Sequence, residues 1–161
     1  MQTNVPLPPN EAERLEALRR YQILDTPPEQ ALDAQSSREI SFCAHAIVAA
    51  DGGELVIADA TQDPRFTDNP YVTADPPHVR FYAGVPLVSP EGFAVGTLCV
   101  IDRKPRVLSA VQMSALRALR RSVVTELELR RHRAELKLVS EALARSNLEL
   151  GECFRQGRKT K

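Results

Sequence analysis

An α+β fold is expected from this chain: a short antiparallel sheet with flanking helices, followed by one long C-terminal helix. Three observations carry that expectation. Two runs of strand composition, "RFYAGVPLV" and "FAVGTLCVID", flank the turn "SPEG" between Arg80 and Asp102. Capping signals mark helix starts before them. After Ser109, no Pro or Gly occurs until beyond Leu150.

In chain order, residues 1–9 carry three prolines and are expected to be a disordered lead. Asn10, with Glu13 three positions on, has the spacing of a capping box, and Leu15, Leu18 and Tyr21 give the first helix an apolar stripe. Within "DTPPE", Thr26 caps a second helix, Pro27 suits its first position, and Glu29 returns the bond. That helix has only Ala31 and Leu32 as apolar content before "DAQSSRE" dilutes the pattern. Ser41 is placed to cap a short helix, "FCAHAIVAA", closed by Asp51, Gly52 and Gly53.

"ELVIADA", residues 54–60, has strand composition. Four prolines and several Asp and Asn residues in "TQDPRFTDNPYVTADPPH" predict a long ordered loop with a helical turn starting at Asp63-Pro64. In the hairpin, Pro90 and Gly92 suit a type I turn. Phe81, Ala83, Val85 and Leu87 alternate onto one face, and Tyr82, Gly84, Pro86 and Val88 onto the other. Pro86 cannot donate to a ladder, so a bulge or an unpaired edge is expected there.

Ser109 and Gln112 form a further capping box. The helix that follows would reach ~60 Å at ~1.5 Å per residue. Met113, Leu116, Leu119, Val123 and Leu127 form a stripe suited to packing on the sheet, while Leu129, Leu136, Leu143 and Leu150 recur every seven residues, as in a coiled coil. The companion positions of that seam are Arg133, Ser140 and Asn147, or else His132, Val139 and Ser146, so helix pairing should be weak by itself. The expected organisation is therefore a lead at 1–9, a domain at 10–108, a helix at 109–150 and a disordered tail at 151–161.

Charge says little about partners: Lys plus Arg equals Asp plus Glu at 21 each. Neither nucleic acid nor an anionic membrane is favoured. No window approaches the roughly 18 apolar residues of a membrane span. Cys43, Cys99 and Cys153 form no C-x-x-C pair, and a cytoplasmic location suits them.

Five stretches, "NEAERLEALRRYQILDTPPE", "SFCAHAI", "VIADATQDPRFTDNPYVT", "RFYAGVPLVSPEGFAVGTLCVIDRKPRVLS" and the closing helix, occur in an order that resembles bacterial GAF domains of sensor proteins. The resemblance covers residues 10 to about 130 and implies a GAF-like, PAS-like sheet with helices on one side and a ligand pocket on the other. It also implies a deletion: Ala34–Ser37 stands where similar proteins have two strands and a loop. The sheet would then keep only the strands at 54–60, 80–88 and 93–102. One missing strand would lie beside the last, leaving the edge of "AVGTLCVI" open.

The family's pocket lies between the sheet and the helix-loop segment, which makes Phe42, His45, Phe81 and Tyr82 the lining candidates. Core packing explains each of them equally well. Cys43 and His45 form a C-x-H pair, but residues two apart on a helix do not face each other, so packing is the favoured reading. Cys99 reads as a small core residue. Asp59, Asp63, Asp68 and Asp75 lack calcium-loop spacing and suit caps and turns, so no metal is expected. "RRHRAELK" lacks the acidic residue and proline expected after a phosphoacceptor histidine.

The expected function is that of a non-catalytic sensory or regulatory module without a cofactor. It would pass a ligand or redox signal through its C-terminal helix, as a homodimer, to a separate histidine kinase or diguanylate cyclase type partner. The alternatives are a truncated remnant that acts only in dimerisation and a thiol-dependent reductase.

Overall fold

A computed structural model describes residues 7–8, 10–21, 40–49 and 53–157, with side chains described through residue 151. It divides into two compact units, residues 1–125 and 126–161. The first unit contains helix α1 (Glu11–Arg20), helix α2 (Phe42–Val48), strand β1 (Leu55–Ile57), helix α3 (Pro70–Thr73), strands β2 (Phe81–Val88) and β3 (Ala94–Asp102), and the start of helix α4 (Ala110–Gly157). The expected second helix, with Thr26, Pro27 and Glu29, lies outside the described residues, as does most of the Asp51–Gly53 turn.

The sheet is antiparallel, in the order β1-β2-β3. Among the described residues it has three strands, as the resemblance implies, and no strand pairs with the outer side of β3. The turn closes as expected, with Gly92 N donating to Ser89 O at 2.9 Å and Ser89 N to Phe93 O at 2.8 Å. Gly92 sits at φ 89°, a left-handed conformation that a side chain would strain. Pro86 lies on the central strand but pairs only with Thr97, because β1 ends its pairing at Gly84. Its missing donor therefore faces no ladder. The irregularity falls one residue later, between Leu87 and Val88.

Alternation along β2 gives the sheet two cores. Tyr82 packs with Phe42, Ala46, Leu55, Ile57, Ala60, Phe66, Val72 and Val79 on the α2 side. Phe81, Ala83 and Val85 pack with Leu116 on the α4 side, with Met113, Leu108 and Leu98 around them. Of the sheet-packing stripe predicted on α4, Leu116 is buried, whereas Leu119 is 57% exposed. The stripe therefore meets the sheet over little more than its first two turns. Arg117 adds a bidentate ion pair to Glu54 at 2.5 and 2.8 Å. Pairs this exposed contribute little stability.

The caps meet their expectations unevenly. Ser41 Oγ accepts from Ala44 N at 3.2 Å. Ser109 and Gln112 form the complete box: Gln112 N donates to Ser109 Oγ at 3.2 Å, and Ser109 N donates to Gln112 Oε1 at 2.9 Å. Asn10 makes no side-chain cap bond. Glu13 is exposed at the end of that box, and Arg14 instead holds Glu11 at 2.6 Å while reaching Ala94 O. Replacing Ser109 by Ala should cost about 1 kcal/mol, measurable as a lower urea midpoint; a change below about 0.3 kcal/mol would mean that the box does not hold the helix start.

Helix α4 runs to Gly157, into the segment expected to be disordered. One internal Gly costs only ~1 kcal/mol relative to Ala, and helix-forming residues on both sides of Gly151 carry the turn past it. Within the second unit, Arg130 pairs with Glu126 at 3.1 Å and Arg131 with Glu128 at 2.8 Å. These are ordinary i,i+4 and i,i+3 pairs. Among the described residues, no helix is long and apolar enough to cross a membrane.

Candidate functional site: a dithiol between helix α2 and the sheet

The loop between β1 and β2 is ordered by its own polar residues. Asp59 Oδ1 accepts from Thr61 N at 3.0 Å and Thr61 Oγ1 at 2.7 Å, and Asp63 binds Arg65 through both carboxylate oxygens. Phe66 N and Thr67 N both reach Asp63 O, which makes the helical turn expected there. Asn69 is buried and caps α3 by accepting from Tyr71 N at 2.9 Å. Its amide also donates to Ile40 O at 2.8 Å, which ties the loop to the approach of α2. Arg80 donates to Val72 O at 2.8 Å and Val79 O at 3.1 Å, closing the loop onto β2.

This frame sets α2 against the Tyr82 face of the sheet. Phe42 stacks on Phe66 with ring centroids 4.2 Å apart and on Tyr82 at 5.1 Å. His45 meets the edge of Phe66 at 4.7 Å. Its Nδ1 lies 2.9 Å from Ser41 O, and since a carbonyl only accepts, that nitrogen carries the proton. Phe42, His45 and Tyr82 thus come together, with Phe66 as a fourth member that composition alone did not single out. Phe81 does not join them. It lies on the opposite face, where it lines a groove of about 440 Å³ together with Val100, Ile101, Leu116 and Leu119. With Phe42 only 7% and Tyr82 1% exposed, the rings on the α2 side are close-packed core.

The chemistry on that face lies beside the rings. Cys43, on α2, and Cys99, on β3, place their sulfurs 3.9 Å apart. Tyr82 donates its hydroxyl to Cys43 Sγ at 3.6 Å. Thr97 Oγ1 donates to Cys43 O at 3.4 Å and helps hold α2 on β3. Gly84 makes the arrangement possible. It pairs with Cys99 across the ladder, and the Tyr82 phenol lies across it: a Cβ at position 84 would sit 2.7 Å from Tyr82 Cζ and overlap the hydroxyl. The phenol occupies the place of the absent side chain and reaches the sulfur from there.

Sequence reasoning set Cys43 beside His45, its neighbour on the helix, and missed Cys99 as its partner. The signal was the hairpin register, and the irregularity near the turn obscures it. Val88 pairs with Ala94, but from Leu87 to Phe81 the pairing is shifted by one, which brings Cys99 opposite Gly84. Counting back from the turn without that shift would pair Cys99 with Ala83 and place it on the Phe81 face.

Two donors aimed at Cys43 favour its thiolate. The Cys99 thiol first, then the Tyr82 hydroxyl, bring its pKa down to about 6 against the opposing effect of burial. The hydrogen bond to Cys43, then burial and the Cys43 charge, holds the Cys99 thiol protonated well above its ordinary range. Burial, followed by that same charge, raises Tyr82 too. Both shifts favour the arrangement in which Cys43 holds the charge and Cys99 the proton.

The sign for stability follows from linkage. In the unfolded chain both thiols titrate near ~8.5. The depressed pKa of Cys43 contributes stability that is complete above the unfolded value and lost as pH falls through about 6. Cys99, held protonated, costs stability once pH rises above ~8.5. Alkylation of Cys43 by iodoacetamide should accordingly be half-maximal near pH 6. Cys99→Ala should move that midpoint upward further than Tyr82→Phe, since the thiol is the stronger donor influence; equal midpoints in all three proteins would show that neither group holds the charge.

Comparison with known proteins places the chain. The GAF domain family matches residues 10–127, most of the 161 residues. The chain belongs to the GAF domain family. The GAF sheet, its two cores and the start of α4 all lie within the matched range. A curated relative, cyclic di-GMP phosphodiesterase PA2567 of Pseudomonas aeruginosa, is 57% identical over 72 residues. Those residues are 45% of this chain but 12% of that protein, so this GAF chain matches only a small part of its relative's length. A GAF domain shared with a bacterial protein of cyclic di-GMP turnover fits a sensory or regulatory module.

Proposed function

We infer that this GAF chain is a non-catalytic input module whose α2 and sheet face receive a ligand or redox signal, and whose α4 carries the result to a separate partner in cyclic di-GMP signalling. The observation that carries this reading is the composition of α4. Its first turns supply Met113 and Leu116 to the core beneath β2. Its later turns expose Leu129 (41%), Leu136 (68%), Leu143 (60%) and Leu150 (55%) at intervals of seven. Such a seam is suited to a second helix, and a homodimer formed through it would give the signal a place to act. A change of state at the sheet transmits only if the two states differ in how they favour that pairing. The link to cyclic di-GMP rests on the relative's name and its 57% identity over the shared segment.

The test is expression of the chain in a bacterium carrying a fluorescent cyclic di-GMP reporter, beside a triple variant with Leu129→Glu, Leu136→Glu and Leu143→Glu. A reporter change that the variant abolishes supports the module and its helix. An unchanged reporter with the unaltered chain overturns the cyclic di-GMP assignment.

A further inference from the structure

We propose that Cys43 and Cys99 form a two-cysteine redox switch, oxidised by hydroperoxides to an internal disulfide and reopened by dithiols. The proposal deepens the input-module reading above by naming the signal, and it rests on that reading for its biological use.

Four observations converge on this pair. The sulfurs are 3.9 Å apart on two different elements, α2 and β3. Closure to a bond of about 2.05 Å asks for a small movement of the side chains or of the helix. Both cysteines are half-buried, reduced and partly open to solvent, so a small oxidant has access. The Tyr82 hydroxyl is aimed at Cys43 Sγ, the sulfur that attacks, and Gly84 lets it lie there. A depressed Cys43 pKa supports the same assignment, because the thiolate is the nucleophile.

The chemistry balances with a hydroperoxide as the oxidant. Cys43 thiolate attacks the terminal oxygen of ROOH, the O–O bond breaks, and RO⁻ takes a proton from water to leave as an alcohol. Cys43 is then a sulfenic acid. Cys99 Sγ attacks Cys43 Sγ, the S–O bond breaks, and hydroxide leaves with the proton from Cys99 as water. Two thiols have lost two electrons to the peroxide. A dithiol reverses the change by exchange, becoming a disulfide itself.

Closure would be felt beyond the site. Cys99 and Leu98 are neighbours on β3, and Leu98 packs against the cluster that contains Leu116 of α4. Drawing Cys99 toward α2 therefore pulls on the strand that supports the start of the long helix.

The test uses the full chain with Cys153→Ser, so that only the pair can react. Hydrogen peroxide should give a product lighter by two hydrogens in which the Cys43 and Cys99 peptides are joined, and dithiothreitol should separate them and restore both thiols. In a Cys99→Ala variant the sulfenic acid should persist and be trapped by dimedone at Cys43. Tyr82→Phe should slow link formation several-fold while leaving the linked product the same. An unreacted chain, a link between two chains, or sulfonic acid on either cysteine without the internal link would each overturn the switch. Sensor failure reads differently: with the link formed, a cyclic di-GMP reporter that responds to neither oxidised nor reduced chain would overturn the input-module reading and leave the dithiol chemistry standing.

Discussion

Phe66→Ala is expected to remove about 3–5 kcal/mol of folding stability, against a total of roughly 5–15 kcal/mol for a typical domain. Phe66 is fully buried, stacks on Phe42 and receives the edge of His45, and it is the loop's main anchor to α2. Truncation leaves a hole between two elements that cannot collapse independently, since Asn69 ties the middle of the loop to Ile40 and Arg80 ties its end back to Val72. Urea denaturation followed by tyrosine fluorescence reads the first unit, where Tyr21, Tyr71 and Tyr82 all lie, without the helical signal of the later turns of α4. A loss smaller than about 1 kcal/mol would mean that α2 does not depend on this stack. Loss of the sheet transition with α4 helicity retained is the expected extreme.

The second large effect is expected at Gly84. In Gly84→Ala the new methyl would stand 2.7 Å from Tyr82 Cζ and 2.8 Å from Cε1, and the ring, 1% exposed, has nowhere to swing. Overpacking of this kind costs about 1–3 kcal/mol. The same displacement takes the hydroxyl off Cys43 Sγ, so the pH midpoint for alkylation of Cys43 should rise along with the loss of stability. Gly96→Ala is the control: its methyl would meet Leu87 Cδ1 at 3.5 Å, an ordinary contact, and should change little. Equal urea midpoints for the two variants would show that the phenol is not held across Gly84.

These expectations also separate the two roles of the α2 face. Phe66 and Phe42 keep the helix in place, and Gly84 with Tyr82 directs a donor at sulfur. A variant that loses stability without moving the Cys43 midpoint has damaged the first role. One that shifts the midpoint at little cost, as expected for Tyr82→Phe, has damaged the second. The lining candidates Phe42, His45 and Tyr82 thus sit at a face where packing and chemistry are adjacent, whereas Phe81 belongs to the groove beside β3 and α4.

Local signals in the chain were sufficient for several elements, though not for α3 at Pro70–Thr73. Strand composition around "SPEG", the Ser41 cap and the Ser109-Gln112 box each depend on residues within a few positions, and each forms as read. Alternation along β2 divided Phe81 from Tyr82 correctly, because side chains on a strand change face at every residue. The Asn10 box failed for a local reason as well, since its side chain makes no cap bond and Arg14 engages Glu11. The dithiol was not legible in this way. Cys43 and Cys99 are separated by 56 positions, and whether they meet depends on a one-residue shift at Leu87/Val88 that decides which face Cys99 takes. It depends again on Gly84, whose missing side chain admits the Tyr82 phenol. Sequence determined the Ser41 and Ser109 helix starts, the hairpin and the membership of a fold. Only tertiary structure decided which cysteine faces which, because register and packing are properties of two strands and a helix together and of none of them alone.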